Sequence, residues 1–142
     1  MNSNLEKNTT LKVSEKMISK EYAEHYIWGD GCDGWHLVKN SEVSIIHELM
    51  PPHTQEIRRS HNRAWQFFFI LVGIATMKIE NETVILGPQQ GIEILPNVPH
   101  QMCNESNEIC EFLVYSQPPS HGDRIELLSH CNTEGIIDTF LI

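Results

Sequence analysis

Arg59-Ser60-His61, Gln66, His100 and Asn104 are the residues of this 142-residue chain whose types and spacing could carry chemistry. Arg59 and His61 stand two apart in an extended stretch, so their side chains leave the same face. A guanidinium never loses its charge, and its forked donors match a carboxylate, phosphate or sugar acid at two points. A lone histidine on a strand is more often a satisfied core or surface group than a ligand, so the joint spacing of His61, Gln66, Gly73, His100 and Asn104 carries the signal. No G-x-S-x-G, Walker loop, G-x-G-x-x-G or H-E-x-x-H motif occurs. The cysteines have no motif context that would mark a nucleophile.

The elements that must hold these residues read as short strands between breakers. Strands are expected at 43–50, 56–61, 66–72, 75–80, 83–86, 91–95, 100–104 and 109–116, with Asn81-Glu82 as a hairpin turn. Eight or more strands in about 75 residues predict an all-β sandwich or barrel. Alternation places Phe68 inside the barrel with Gln66 and Ile70. Trp28 and Trp35 read as packing residues, and Asp123-Arg124 as a structural ion pair or turn clamp. The first 20 or so residues are a polar arm, with a short helix expected over 21–26 and Ser19 as its N-cap. Gly29, Gly31 and Gly34 punctuate a turn-rich stretch. At the other end 123–128 is expected to form a helical turn. The apolar segment 135–142 is expected to pack on the barrel or on a second subunit.

The block from Pro51 to Asn104 resembles the two motifs of the cupin superfamily, G-x5-H-x-H-x3–4-E-x6-G and G-x5-P-x-G-x2-H-x3-N. His61 falls on the second histidine, Gln66 on the glutamate, Gly73 on the closing glycine, His100 on the second motif's histidine and Asn104 on its asparagine. The resemblance covers about residues 43–118. The segments Trp28 to Trp35 and Ser120-His121-Gly122-Asp123-Arg124 look like those of one small single-domain bacterial cupin group. It implies a double-stranded β-helix, or jelly-roll barrel, with an N-terminal arm over 1–27, a cupin domain over 28–142 and a short C-terminal helical segment. It also implies a divalent metal, Zn, Mn, Fe or Ni, on His61, Gln66 and His100, and a small polar or anionic substrate at Arg59, Gln66 and Phe68. The superfamily includes isomerases, dioxygenases and non-catalytic ligand-sensing modules, so fold alone does not name a reaction.

The departures from the motifs matter as much. Arg59 stands where the first histidine ligand belongs, Gln66 replaces the carboxylate, Gln89 and Leu95 replace a glycine and a proline, and Asn97 replaces the turn glycine. Asn97 is a mild change, because Asn tolerates the left-handed conformation. A guanidinium about 5 Å from a cation costs about 3 kcal/mol at an effective dielectric near 20, about two decades of metal affinity. Three readings follow. Either a metal remains on His61, Gln66 and His100 with Arg59 holding an anionic substrate, or a metal-free pocket takes an anion, or Arg59 pairs with an acid such as Glu56 or Glu48. His53, in the loop after Pro51-Pro52, is a further candidate to replace the missing ligand.

Composition narrows the partners. Ten Lys and Arg against 19 Asp and Glu give a net charge of −9, which argues against a nucleic-acid or anionic-membrane partner. Apolar runs of about eight residues are far short of the roughly 20 of a spanning helix. The N-terminus lacks the apolar core of a secretion signal, so the cytoplasm is the expected location. Cys32, Cys103, Cys110 and Cys131 are expected to be reduced thiols. Edge strands favour a homodimer.

Overall fold

The computed structural model describes residues 12–120 and 122–127. One turn of 3-10 helix, Val13–Lys16, precedes twelve strands. They are β1 (Glu24–Trp28), β2 (Cys32–Lys39), β3 (Ser44–Met50), β4 (Thr54–Gln55), β5 (Arg59–His61) and β6 (Trp65–Val72), then β7 (Ala75–Ile79), β8 (Glu82–Leu86), β9 (Gly91–Ile94), β10 (His100–Asn104), β11 (Cys110–Gln117) and β12 (Arg124–Glu126). Two antiparallel sheets result, one ordered β1-β2-β3-β11-β6-β9 and the other β12-β5-β10-β7-β8, with β4 also on β10. This is the expected all-β jelly-roll barrel.

Period-two alternation decides which side chains enter the barrel. On β11, Cys110, Phe112, Val114 and Ser116 are buried, with half-buried residues between them. On β6 the buried set is Gln66, Phe68 and Ile70, as alternation predicts. Met50, Ile70, Met77, Met102 and Phe112 are wholly buried. They fill one end of the interior with apolar side chains, and the polar inward positions Gln66, His100 and Ser116 gather toward the other.

Two positions require their backbone conformation. Gly73 has φ +83, and a Cβ there would meet the Ile109 carbonyl oxygen at 2.3 Å, so glycine closes this turn. Asn97 takes φ +68, as its type allows, and its N–H donates to the His61 carbonyl at 2.7 Å. That bond ties the loop before β10 to the end of β5.

Several expected elements differ. The segment 21–26 is not a helix: the Ser19 carbonyl accepts from the N–H groups of Tyr22 and Ala23 in a single turn, and β1 then starts at Glu24. The reason is cross-strand pairing with β2 from Glu24↔His36 to Trp28↔Cys32, which satisfies more backbone than a lone short helix would. β1 straddles the expected boundary between residues 27 and 28. The glycine-rich stretch is the β1–β2 hairpin, with Gly29 and Gly31 at positive φ. Pairing of Ile79 with Glu82 makes Glu80-Asn81 the β7–β8 turn, one residue earlier than expected.

The expected C-terminal helical turn is instead strand β12, paired antiparallel with β5 as Arg124↔His61, Ile125↔Ser60 and Glu126↔Arg59. It covers an edge that β5 would otherwise present open. Residues from 128 onward, including the apolar segment and Cys131, lie outside the described residues, as does His121. Cys32, Cys103 and Cys110 are buried thiols outside any disulfide. No helix among the described residues is long and apolar enough to cross a membrane.

Candidate functional site

A cavity of about 550 Å³ opens between the two sheets, a volume in the range of small-molecule pockets. Arg59, His61, Gln66, Phe68 and His100 all line it, together with Tyr26, Trp28, Glu48, Glu56 and Ser116. Of the residues singled out by spacing, Arg59, His61, Gln66 and His100 are therefore brought to one place, and Gly73 and Asn104 lie outside it. β5 and β10 supply the charged and imidazole groups because Arg59 and His100 are direct cross-strand partners. β6 supplies Gln66 and Phe68 from the opposite sheet.

The imidazoles are set up to be neutral. His100 Nδ1 lies 2.9 Å from the Val98 carbonyl, which can only accept, so Nδ1 carries the proton and Nε2 the lone pair. That Nε2 is buried and has no hydrogen-bond partner within the protein. His61 Nδ1 and Gln66 Oε1 share this condition, while Gln66 Nε2 donates to Ser116 Oγ at 2.9 Å. The two imidazole centroids are 5.7 Å apart. Burial, then the neighbouring His100 and Arg59, lowers the His61 pKa to about 4. Burial also lowers that of His100, against the opposing pull of Glu56 and the Val98 bond.

Arg59 has a side chain only 17% exposed, and one Nη lies 3.8 Å from Glu56 Oε2. Its Nε donates to the Ile57 carbonyl at 3.0 Å, which fixes the direction of the guanidinium. Glu56 is occupied elsewhere too, since its Oε1 accepts the Met102 N–H at 3.0 Å. The ion pair with Glu56 is thus a loose one, and no comparable contact joins Arg59 to Glu48 among the described residues.

The donor set does not match a resident transition metal. Among the described residues no three His, Cys, Asp or Glu side chains are grouped to hold one. Two neutral imidazoles and a neutral amide stand beside a fixed positive charge, and the cavity's two carboxyls are engaged, Glu48 by the Tyr26 O–H and Glu56 by the Met102 N–H and Arg59, whereas such ions favour a free carboxylate or a third imidazole. His53 does not fill the gap: it is exposed and its Nε2 pairs with Asn107 Oδ1 at 2.9 Å.

Other motif residues are structural. Asn104 is fully buried, its Nδ2 donating to the carbonyls of Met50 at 2.9 Å and Glu108 at 2.8 Å, so it latches the β10–β11 loop to the end of β3. Asp123 Oδ2 accepts the N–H groups of Arg63 and Ala64, both at 2.8 Å, which makes it the expected turn clamp. Arg124 pairs with Glu126 at 2.9 Å instead of with Asp123.

Trp28 packs against the core and also borders the cavity, and Tyr26 and Glu48 line it as well. Sequence reasoning gave Tyr26 no place there and named Glu48 only as one acid that could pair with Arg59. The signal for Glu48 was present: it shares its strand face with Ile46 and Met50, an acid in an inward apolar register. Tyr26 gave no such signal while its segment read as a helix.

The chain is similar to known proteins in this architecture. An uncharacterized protein of Methanocaldococcus jannaschii is 26% identical over 123 residues, spanning 82% of this chain and 98% of that protein. A cupin-superfamily sugar phosphate isomerase structure from Silicibacter pomeroyi superposes with a TM-score of 0.68 at 14% identity, covering 82% of this chain and 83% of that one. A predicted oxalate decarboxylase structure from Thermotoga maritima gives 0.64 at 16% identity, over 72% and 99%. The cupin domain family model matches residues 46–116. With half of its length matched, and with the barrel and motif positions described above, the chain belongs to the cupin domain family.

Proposed function

We propose that this cupin is a binding or sensing module that holds a small anionic molecule, such as an organic acid or sugar acid, with Arg59 as the anion clamp and without a resident metal. The observation that carries this is the Arg59 guanidinium, aimed by the Ile57 carbonyl into a cavity whose two imidazoles are kept neutral. A fixed positive charge with no full counter-ion favours a ligand carboxylate or phosphate. His61 Nδ1, Gln66 Oε1 and His100 Nε2 then receive hydrogen bonds from ligand hydroxyls, relieving buried polar atoms that each cost about 1–3 kcal/mol when unpaired. The names of the two solved structures above, a sugar phosphate isomerase and a predicted oxalate decarboxylase, refer to anionic substrates, which supports an anionic ligand.

A second reading, a divalent cation on His61, Gln66 and His100 serving an isomerase or oxygenase, is favoured by one observation: those three unpartnered atoms line one cavity. The donor count and Arg59 weigh against it. Thermal melts with gluconate, galacturonate, 2-oxoglutarate, pyruvate or inorganic phosphate, with and without chelator, separate the two. Chelator-insensitive stabilisation that disappears in Arg59→Ala supports the anion pocket. A ligand response abolished by chelator, or about one equivalent of a transition metal in freshly purified protein, overturns it.

A further inference from the structure

Glu48 has no task in the anion-pocket reading, yet the fold builds a support for it. The inward positions of β3 run Ser44, Ile46, Glu48 and Met50, and Glu48 pairs with Gly34 of β2 on one side and Phe112 of β11 on the other. Gly34 in turn pairs with Tyr26 of β1. A Cβ on Gly34 would lie 2.3 Å from Tyr26 Cζ, so the phenol ring lies over the glycine and reaches past it. Its O–H donates to Glu48 Oε2 at 3.1 Å. The row Tyr26-Gly34-Glu48 thus spans three strands to hold one carboxyl oxygen at the cavity wall.

The surroundings keep a proton on this carboxyl. Burial first, then the charge of Glu56, pushes Glu48 up to about 8, against the opposing pulls of Tyr26 and Arg59. Tyr26 faces it from β1, Cys32 from β2, Glu56 from the segment before β5 and Arg59 from β5 itself, while β11 contributes the untitratable Phe112. Tyr26 and Cys32 are themselves pushed up, chiefly by burial, and so stay neutral. A carboxylic acid whose one oxygen already accepts from a phenol still has its own O–H to offer.

We propose that Glu48, tethered by Tyr26, is a second recognition point that donates its carboxyl O–H to an uncharged acceptor oxygen, a carbonyl or ring oxygen, of the acid whose charged end sits on Arg59. The pocket then selects oxo acids and sugar acids over plain alkanoates. This rests on the anion-pocket reading.

The test compares pyruvate with propionate, two acids that share the carboxylate and differ in the acceptor, by calorimetry or NMR titration at pH 6.5 and pH 9. Carbon-13 titration of the Glu48 carboxyl in the free protein runs alongside. The wild type is expected to prefer pyruvate by roughly fivefold at pH 6.5 and to lose the preference at pH 9. Glu48→Gln, whose amide still donates, keeps the preference at both pH values, and Glu48→Ala loses it at both. Tyr26→Phe moves the loss to higher pH, because the phenol's hydrogen bond favours the ionised carboxylate. If both acids bind and Arg59→Ala abolishes binding while Glu48→Ala keeps the wild-type preference, the Glu48 proposal falls and the anion pocket stands. If neither acid binds the wild type, both fall. A Glu48 carboxyl already ionised at pH 6.5 in the free protein overturns the proposal whatever binds.

Discussion

Arg59 and His100 face each other as direct partners across β5 and β10, so the side chain that departs most from the family pattern lies beside the best-supported imidazole. A guanidinium there opposes cations and attracts anions. Arg59→His removes the charge and adds a third imidazole. Its affinity for zinc or nickel is expected to rise by about two decades, with elemental analysis approaching one equivalent, while stabilisation by organic acids falls. An Arg59→His protein that takes up no more metal than the wild type would show that something other than this charge limits the site.

Stability should peak near pH 6.5. Above that pH the folded protein holds a proton on Glu48, up to about 8, that an unfolded carboxyl with a value of 4.5 has released. Stability therefore falls with rising pH, by about 1.4 kcal/mol per unit until Glu48 ionises. Below 6.5 the unfolded chain protonates His61 and His100 while burial keeps them neutral in the fold, His61 down to about 4. Those two protons outweigh the one on Glu48, so stability falls as pH drops. Denaturant melts across pH 4 to 9 measure this, and Glu48→Gln should flatten the alkaline limb and steepen the acid one, because the Glu48 proton no longer offsets those of the histidines.

Asn104 is a latch whose loss is felt in folding. Asn104→Ala takes a donor from the carbonyls of Met50 and Glu108 and removes the acceptor of the Ser106 N–H and O–H, leaving Glu108 only the Ser106 hydroxyl. The expected cost is about 3 kcal/mol, read as a lower urea midpoint. A loss under about 1 kcal/mol would mean that water or the loop replaces those bonds.

Gly73→Ala meets a backbone oxygen, not a side chain that can swing away, at a φ that L residues avoid. A destabilisation of about 3 kcal/mol is expected, with anion binding per folded molecule unchanged, because Gly73 does not line the cavity. Gly34→Ala meets the movable Tyr26 ring instead. It should cost less stability and alter the titration of Glu48.

Much of the frame was legible along the chain because it is local. The strands after Val43, the closing Gly73, the left-handed Asn97, the shared face of Arg59 and His61 and the inward Phe68 all follow from period-two alternation and the conformational limits of single residues. β1 and β12 were not legible. Each is a short segment with weak intrinsic preference, and each becomes a strand because an edge of β2 or β5 offers its backbone partners.

The sequence by itself determined the cupin barrel, the grouping of His61, Gln66, His100 and Arg59, and the departure of that group from a metal-ligand set. Only the tertiary structure decided that Glu56 is engaged by the Met102 N–H, that Val98 fixes the His100 tautomer and that Tyr26 reaches across Gly34 to Glu48. The physical reason is register. Tyr26 meets Glu48, and Glu56 the Met102 N–H, through pairing of segments distant in the chain, where one residue of slip would turn a strand's side chains to the other face of its sheet.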